Sequence, residues 1–307
     1  MAAPSASPAF DKTFDAQTGR PVPVLPGIVR VTAPNAGPYT FTGTNSFILG
    51  SGQRVAVMDP GPDDTRHLAA LKAAIGGRTV ETIILTHTHI DHSALAPKLK
   101  AETGGVLAFA GPHRLMRQPR GLEMMGIGRG GDWTIKPDRV ISDNEAIAAG
   151  DVMLRAMATP GHCANHLSFG VEGTDWLFTG DHIMGWNSTL VAPPDGEMAA
   201  YLASLERVIA APNMHYLPAH GGPVENGPAY ARAMLAHRQL RNAQIIGAVE
   251  HGARSMGALM RIIYPTLPPV LRFAAQMTIG AHIEYLAARN EIVAQREMLG
   301  WRLAPRR

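Results

Sequence analysis

Apolar residues in the first two thirds of the chain follow two patterns that predict alternating strands and helices. The segments "TNSFILG", "RVAVMDPG" and "VETIILT" are short, apolar and bounded by turns, as buried strands are. A second group, "VMLRAMATPGH", "HLSFGVE" and "DWLFTGDH", repeats this pattern further along. Stretches with helical periodicity, such as "SALAPKLKAETG" and "EMAAYLASLERVIA", lie between the strands. This order predicts an α/β (α+β) fold in which two sheets pack face to face with helices outside.

The final quarter of the chain has a different pattern, which predicts a separate helical part. From Pro228 the periodicity is that of three helices, and "EIVAQREMLGWRLA" then predicts a small hairpin. We therefore expect a loose, Pro-rich segment at 1–26, a main α/β domain at 27–228 and a helical domain at 229–307.

Charge is distributed unevenly between these parts. Residues 230–307 hold 11 Arg, no Lys and 4 Glu, a balance of +7, and because the whole chain is +3 the remainder is −4. A basic tail on an acidic body can serve nucleic-acid binding, but Arg-rich helices are also simply soluble. Both interpretations stay open at this point.

Composition excludes several other classes of protein. With 46% hydrophobic and 17% charged residues, the chain can bury a core and is not a disordered polymer. Cys163 is the single cysteine, so an intramolecular disulfide is excluded. The N-terminal residues lack the features of a signal peptide, and no apolar run reaches about 20 residues. We expect a cytoplasmic protein that does not contact a membrane.

Four side chains that can bind metal follow the apolar run "TIILT" directly. They lie within "THTHIDH" and are His87, His89, Asp91 and His92. Imidazole is a good zinc ligand, and a carboxylate adds a hard oxygen ligand. Four ligands within six residues cannot close one tetrahedral site in this geometry, so they predict parts of two adjacent sites.

Candidate partners for these ligands occur later, each at the end of a predicted strand. His162 lies in "TPGH", Asp181 in "TGD" and His220 in "PAHG". The adjacent glycines allow the backbone to turn tightly beside each ligand. Loops held by a rigid scaffold commonly form active sites, so we expect these residues to meet at one edge.

The ordered set of four motifs resembles the metallo-β-lactamase superfamily over residues 27–225. The resemblance implies an αββα sandwich with a dinuclear metal centre at one edge, and it makes 27–228 the catalytic domain. It also implies that the first metal ion is held by His87, His89 and His162. The second would be held by Asp91, His92 and His220, with Asp181 bridging both ions.

Neighbouring residues have weaker signals. Asp59, in "VMDPG", resembles the family's aspartate that supports the metal ligands, because outer carboxylates fix the orientation of a ligating imidazole. His166 and His182 adjoin ligand motifs, and each could line the pocket or serve packing. Isolated histidines such as His67 and His113 are interpreted as structural, as is Cys163.

The expected chemistry is metal-assisted hydrolysis. Two divalent ions can share a water molecule and lower its pKa toward about 7, which makes hydroxide available as a nucleophile near neutrality. Asp91 and Asp181 are the candidate catalytic carboxylates, and Asp91 could orient the nucleophile or accept its proton. We prefer zinc as the metal, with iron or manganese as alternatives. With iron, the protein could instead be a dioxygenase of the persulfide type. Diiron flavoproteins of the superfamily usually carry Glu where this chain has His89.

The tail resembles the winged-helix-like domain of the glyoxalase II and β-lactamase-like branch, which includes endoribonucleases. The first hypothesis is hydrolysis of an ester, thioester or lactone of a small metabolite. The second is a metal-dependent ribonuclease that uses the tail to hold RNA. The third, of another class, is a nucleic-acid-binding protein whose metal centre is structural. The third helix is mostly apolar, which favours a lid or homodimer element over a nucleic-acid reader.

A Gly- and Met-rich loop at 121–133 is either a wall of the substrate site or a solvent-exposed loop without a catalytic role. Met124, Met125, Ile127 and Trp133 would contact an apolar group. An anionic substrate group would be received by arginines, which are Arg114, Arg117, Arg120 and Arg129.

Overall fold

Two β-sheets form the centre of the molecule. The computed structural model describes residues 8–121, 123, 130–297 and 300–306. The first sheet has seven strands in sequence order, antiparallel up to the fourth and parallel from there on. These strands are β1 (Pro21–Leu25), β2 (Ile28–Thr32), β3 (Asn45–Leu49), β4 (Arg54–Met58), β5 (Thr79–Ile84), β6 (Val106–Phe109) and β7 (Arg139–Val140).

The second sheet has five strands and comes from the next part of the chain. Its order is β12-β11-β10-β9-β8, antiparallel except for the β11–β12 pair. Its members are β8 (Ala146–Ala149), β9 (Val152–Ala158), β10 (Leu167–Val171), β11 (Trp176–Gly180) and β12 (His215–Pro218).

Within the described residues, seven helices surround the sheets or follow them. They are α1 (Thr65–Ile75), α2 (Ile90–Ser93), α3 (Ala96–Thr103), α4 (Met198–Ala210), α5 (Gly227–Glu250), α6 (Met256–Ile263) and α7 (Pro269–Ala288). Local signals define α1 well: the Asp64 carboxylate accepts from the N–H groups of Arg66 and His67 at its start. Gly76, with φ of +64°, ends it in the left-handed conformation.

The main core lies between the two sheets, since apolar side chains of both inner faces meet there. Phe47 of the first sheet packs edge-on against Phe178 of the second, with ring centroids 4.9 Å apart. Leu71 of α1 and Leu99 of α3 pack on the outer face of the first sheet. α4 and α5 cover the second sheet. The layers are therefore helix, sheet, sheet, helix, as the sequence predicts.

The C-terminal part has its own apolar cluster. α5, α6 and α7 pack around Ile245, Leu259 and Ile283 together with Trp301 of the last strand. That strand belongs to an antiparallel hairpin of β13 (Ile292–Glu297) and β14 (Gly300–Pro305). The three helices and the hairpin agree with the sequence pattern. The domain boundaries and the winged-helix likeness stay predictions.

The structure also bears on membrane-spanning helices and on the predicted substrate loop. None of the helices in the described ranges is long and apolar enough to cross a bilayer. Of the predicted substrate loop, Met124, Met125, Ile127 and Arg129 lie outside the described residues.

Candidate metal centre

The seven predicted ligands lie in loops that follow strand ends of both sheets. The segment with His87 to His92 follows β5, and His92 lies inside the one-turn helix α2. His162 follows β9, Asp181 follows β11 and His220 follows β12. Each sheet therefore supplies part of the set, and the structure brings all seven side chains to one edge of the sandwich.

The first group of donor atoms consists of three imidazole nitrogens. Nδ1 of His89 lies 3.0 Å from Nε2 of His87 and 2.8 Å from Nε2 of His162. All three atoms lie within 4.8 Å of one another. A zinc ion at about 2.1 Å from tetrahedral ligands would place the donor atoms about 3.4 Å apart. These three nitrogens therefore fit around one cation.

The second group contains one carboxylate and two imidazoles. Oδ2 of Asp91 lies 3.4 Å from Nε2 of His92 and 3.3 Å from Nε2 of His220. Both histidines are almost completely buried. This group also has the compactness that a single cation requires.

Asp181 lies between the two groups. Its Oδ2 is 3.5 Å from Nε2 of His162, whereas its Oδ1 is 3.5 Å from His92 and 3.3 Å from His220. The two oxygens of one carboxylate thus face different groups. Among the described residues, neither Oδ1 of Asp181 nor Nε2 of His92 has a hydrogen-bond partner, although both are buried. Buried polar atoms without partners are costly, so a bound cation accounts for both.

Asp59 contacts two of the predicted ligands through a buried hydrogen-bond network. Its carboxylate accepts hydrogen bonds from the Thr86 N–H and hydroxyl, both at 2.7 Å, and lies 3.1 Å from Nδ1 of His92. The Thr86 hydroxyl lies 3.0 Å from Nδ1 of His87. Asp59 is 1% exposed and has φ of +47°, a conformation that aspartate tolerates better than most residues. It contacts one predicted ligand directly and a second through Thr86.

His166 and His182 both face inward. His166 Nε2 accepts from the Asp181 N–H at 3.0 Å, and its Nδ1 lies 2.8 Å from the Thr159 hydroxyl. Both nitrogens of His166 are therefore used, one to hold the Asp181 backbone and the other to contact Thr159. His182 is fully buried, and its ring packs 4.9 Å from that of Tyr201. His182 therefore serves packing, whereas His166 holds the Asp181 N–H and also lines an open cavity.

The electrostatics differ within and between the two groups. Burial alone would lower the pKa of His89, but Asp195 raises it above 6.5. Burial lowers the pKa of His87 well below 6.5 and that of His162 to about 4, so both rings are neutral and able to bind metal. Burial alone would raise the pKa of Asp181, but neighbouring imidazoles, His220 first, hold it well below 3.8. Burial would lower the pKa of His220, yet Asp181 raises it to about 10. A cation bound there would displace that proton.

Two neighbouring residues were missed from the sequence. Oδ2 of Asp195 lies 2.7 Å from Nε2 of His89, and Oδ1 lies 3.3 Å from Nε2 of His113. Burial alone would raise the pKa of Asp195, but His89 and His113 hold it below its usual range. Asp195 lies in the irregular segment "GDHIMGWNSTLVAPPDG", which offered no local signal for its contact with His89.

The predicted substrate loop is only partly as expected. Trp133 is 42% exposed and packs 4.5 Å from the ring of His113, so it does lie beside the site. Arg117, expected to receive an anion, instead forms ion pairs with Glu123 at 2.8 Å and with Glu284 of α7. The guanidinium group of Arg117 is thus already paired with two carboxylates of the protein. Arg114 lines an open cavity of about 510 Å³ next to His166.

An αββα sandwich with histidine and aspartate side chains gathered in this way at one edge is the architecture of one class of metal-dependent hydrolases. The chain belongs to the metallo-beta-lactamase superfamily, whose family model matches residues 39–220.

Relatives and solved structures agree with this placement. The chain is 28% identical over 286 residues to an atrochrysone carboxyl ACP thioesterase of Aspergillus fumigatus, covering 85% of this chain and 82% of that protein. It is 26% identical to a beta-lactamase-like protein 2 homolog of Caenorhabditis elegans, covering 81% and 80%. A metallo-beta-lactamase family protein from Thermus thermophilus superposes with a TM-score of 0.75 at 24% identity, covering 92% of this chain and 99% of that one.

Proposed function

We propose that this protein is a metal-dependent hydrolase that cleaves a thioester of a small acyl group, with esters and lactones as related substrates. The observation that carries the proposal is the convergence of seven donor side chains into two groups that share Asp181. The similarity to proteins named as thioesterases favours the thioester among these substrates.

The charge of the site supports two divalent ions. Four carboxylates, those of Asp59, Asp91, Asp181 and Asp195, lie within or against the imidazole cluster. With the imidazoles neutral they carry a formal charge of −4, which two dications would balance. Buried charges of one sign are costly unless they are compensated. Zinc suits the histidine-rich ligands best, and iron and manganese are the alternatives.

Each residue would have a defined role. His87, His89 and His162 would hold one ion, and Asp91, His92 and His220 the other, with Asp181 between them. Bound ions there would activate a water molecule and polarise the substrate carbonyl.

Asp91 would accept the proton of the attacking water, because its side chain is 27% exposed while the other ligands are more enclosed. In the overall reaction, water adds to the acyl carbon and the bond to sulfur breaks. The acid and a free thiol are released.

Aromatic side chains near the site suit an apolar acyl group. Trp133 lies on the His89 side, against His113. Phe41 and Trp186 stack at 4.9 Å on the other side, where the loop containing Gly43 contacts His220. Flat apolar walls with few polar groups are typical of small-molecule sites.

The test is a substrate panel with a metal measurement. Purified protein loaded with zinc, manganese or iron is given aliphatic and aromatic acyl thioesters, lactones and single-stranded RNA. We expect thiol release from thioesters. Asp181→Asn should lower the rate of turnover more than about 100-fold, which is a larger loss than is expected for a residue that only contacts a metal ligand. Asp143→Asn, an exposed aspartate paired with Arg207, is the matched control. RNA cleavage without thioester turnover would support the ribonuclease instead.

We infer that the tail covers the catalytic domain or joins two subunits, and does not read RNA. Several of its arginines are paired with carboxylates: Arg289 with Glu291 at 2.6 Å, and Arg296 with Glu123 at 3.0 Å. Paired guanidinium groups contribute less to phosphate binding, which depends on unneutralised positive charge. Weak RNA binding with little salt dependence is the expected result.

A further inference from the structure

The two ring nitrogens of His89 face different groups. Nδ1 points to the nitrogens of His87 and His162, at 3.0 and 2.8 Å. Nε2 points away from them, to the Asp195 carboxylate at 2.7 Å. A neutral imidazole has one N–H, and the nitrogen that binds a cation must be the unprotonated one. The ring hydrogen of His89 therefore belongs on Nε2, where Asp195 accepts it.

We propose that Asp195 is a positioning residue of the metal centre, whose carboxylate fixes the tautomer and ring orientation of His89. The inference rests on the proposed metal-dependent function, because it assumes that His89 binds a cation through Nδ1. A carboxylate on the second nitrogen also makes an imidazole a stronger ligand. Asp195 would thus affect how tightly one ion is held without touching that ion.

The backbone holds Asp195 in this place from both sides. The carbonyl of Pro194 accepts a hydrogen bond from the Met116 N–H at 3.0 Å. On the other side, a Cβ atom at Gly196 would lie 2.7 Å from the carbonyl oxygen of Gly161, which is too close for any side chain. Only glycine allows this approach. The Asp195 loop is therefore packed directly against the turn that carries the predicted ligand His162.

A second imidazole limits rotation of the carboxylate. Nε2 of His113 lies 3.3 Å from Oδ1 of Asp195, and Nδ1 of His113 lies 2.9 Å from the Thr88 hydroxyl. Asn165 donates to that hydroxyl oxygen at 2.8 Å, which leaves the Thr88 hydrogen free to point at Nδ1 of His113. The hydrogen of His113 then lies on Nε2, towards Asp195. The carboxylate therefore lies between two imidazoles, hydrogen-bonded to His89 through Oδ2 and in close contact with His113 through Oδ1.

The test measures zinc binding by the full-length chain, independently of turnover. Metal-free wild type, Asp195→Ala, Asp195→Asn and the surface control Asp143→Asn are titrated with zinc in competition with a chromophoric chelator. We expect one equivalent to bind 10- to 100-fold more weakly in Asp195→Ala, the size seen for outer partners of metal ligands. The other equivalent and the control should stay close to wild type. Asp195→Asn should fall in between, because its amide oxygen still accepts from His89.

Cobalt(II) supplies a second measurement. The visible spectrum of the cobalt-loaded protein reports ligand geometry, so we expect the bands of one site to change in Asp195→Ala and not in Asp143→Asn. Circular dichroism of the metal-free forms checks folding, and Asp195→Asn, which keeps the side-chain volume, replaces the alanine variant if that one unfolds. Unchanged zinc affinity and cobalt spectrum in the Asp195 variants would overturn the positioning role. A wild type that binds no divalent ion would instead overturn the proposed metal centre itself.

Discussion

Replacing Asp59 should destabilise the protein even in the absence of metal. Its buried carboxylate accepts from two Thr86 donors at 2.7 Å and contacts His92 at 3.1 Å. In Asp59→Ala the Thr86 N–H and Nδ1 of His92 would stay buried without a partner, at a cost of about 1–3 kcal/mol each before relaxation, whereas the Thr86 hydroxyl keeps Nδ1 of His87 within reach. The φ of +47° adds about 1 kcal/mol for alanine. Since neighbouring losses do not add fully, we expect about 3–5 kcal/mol in total.

The measurement is guanidinium denaturation of metal-free protein, followed by tryptophan fluorescence and circular dichroism. Asp59→Asn should lose less than Asp59→Ala, because asparagine tolerates the left-handed backbone and keeps one acceptor oxygen. Asp143→Asn, which removes an exposed ion pair with Arg207, should change stability by less than about 1 kcal/mol. If Asp59→Ala unfolds within about 1 kcal/mol of wild type, the account of Asp59 as the support of this network is wrong.

Two other predictions concern backbone packing and pH. A Cβ atom at Gly161 would lie 2.3 Å from Cα of Tyr201, so Gly161→Ala should cost at least about 2 kcal/mol more than Gly173→Ala, where nothing lies within 4 Å; equal denaturation midpoints would contradict this. Burial lowers the pKa of His67 to about 4, so the folded state resists its protonation. The stability that His67 provides is complete above pH 6.5 and should fall by about 1.4 kcal/mol per pH unit from there to pH 4. His67→Gln should flatten that slope in stability measured against pH, and an unchanged slope would refute the assignment.

The sequence could predict much of the fold, and it singled out the seven side chains that converge at one edge, because both depend on local patterns. Short apolar runs marked the strands of both sheets, and the predicted ligands recur directly after strand ends beside glycines, as in "TPGH" and "PAHG". His87 and His162 lie far apart in the sequence. They were placed together because the order of the motifs resembles the superfamily, whose fold brings these positions together.

Contacts made by residues without a local pattern could not be predicted. Asp195 lies in an irregular segment and meets His89, 106 residues earlier in the chain. His113 lies outside the four motifs, so the sequence offered no reason to prefer a role in the site over a structural one. Arg117 was expected to be free, yet Glu284, 167 residues later, occupies it. Each of these depends on tertiary packing of loops, for which periodicity gives no information.

The distribution of the ligands between the two sheets has a consequence for the order of events during synthesis. Residues up to His92 provide four of the seven predicted donors, whereas Asp181 follows β11 and His220 follows β12, the last strand of the second sheet. A nascent chain that has not reached His220 lacks the last of these donors, so the proposed pair of metal ions could be fully held only after most of the polypeptide has been synthesised.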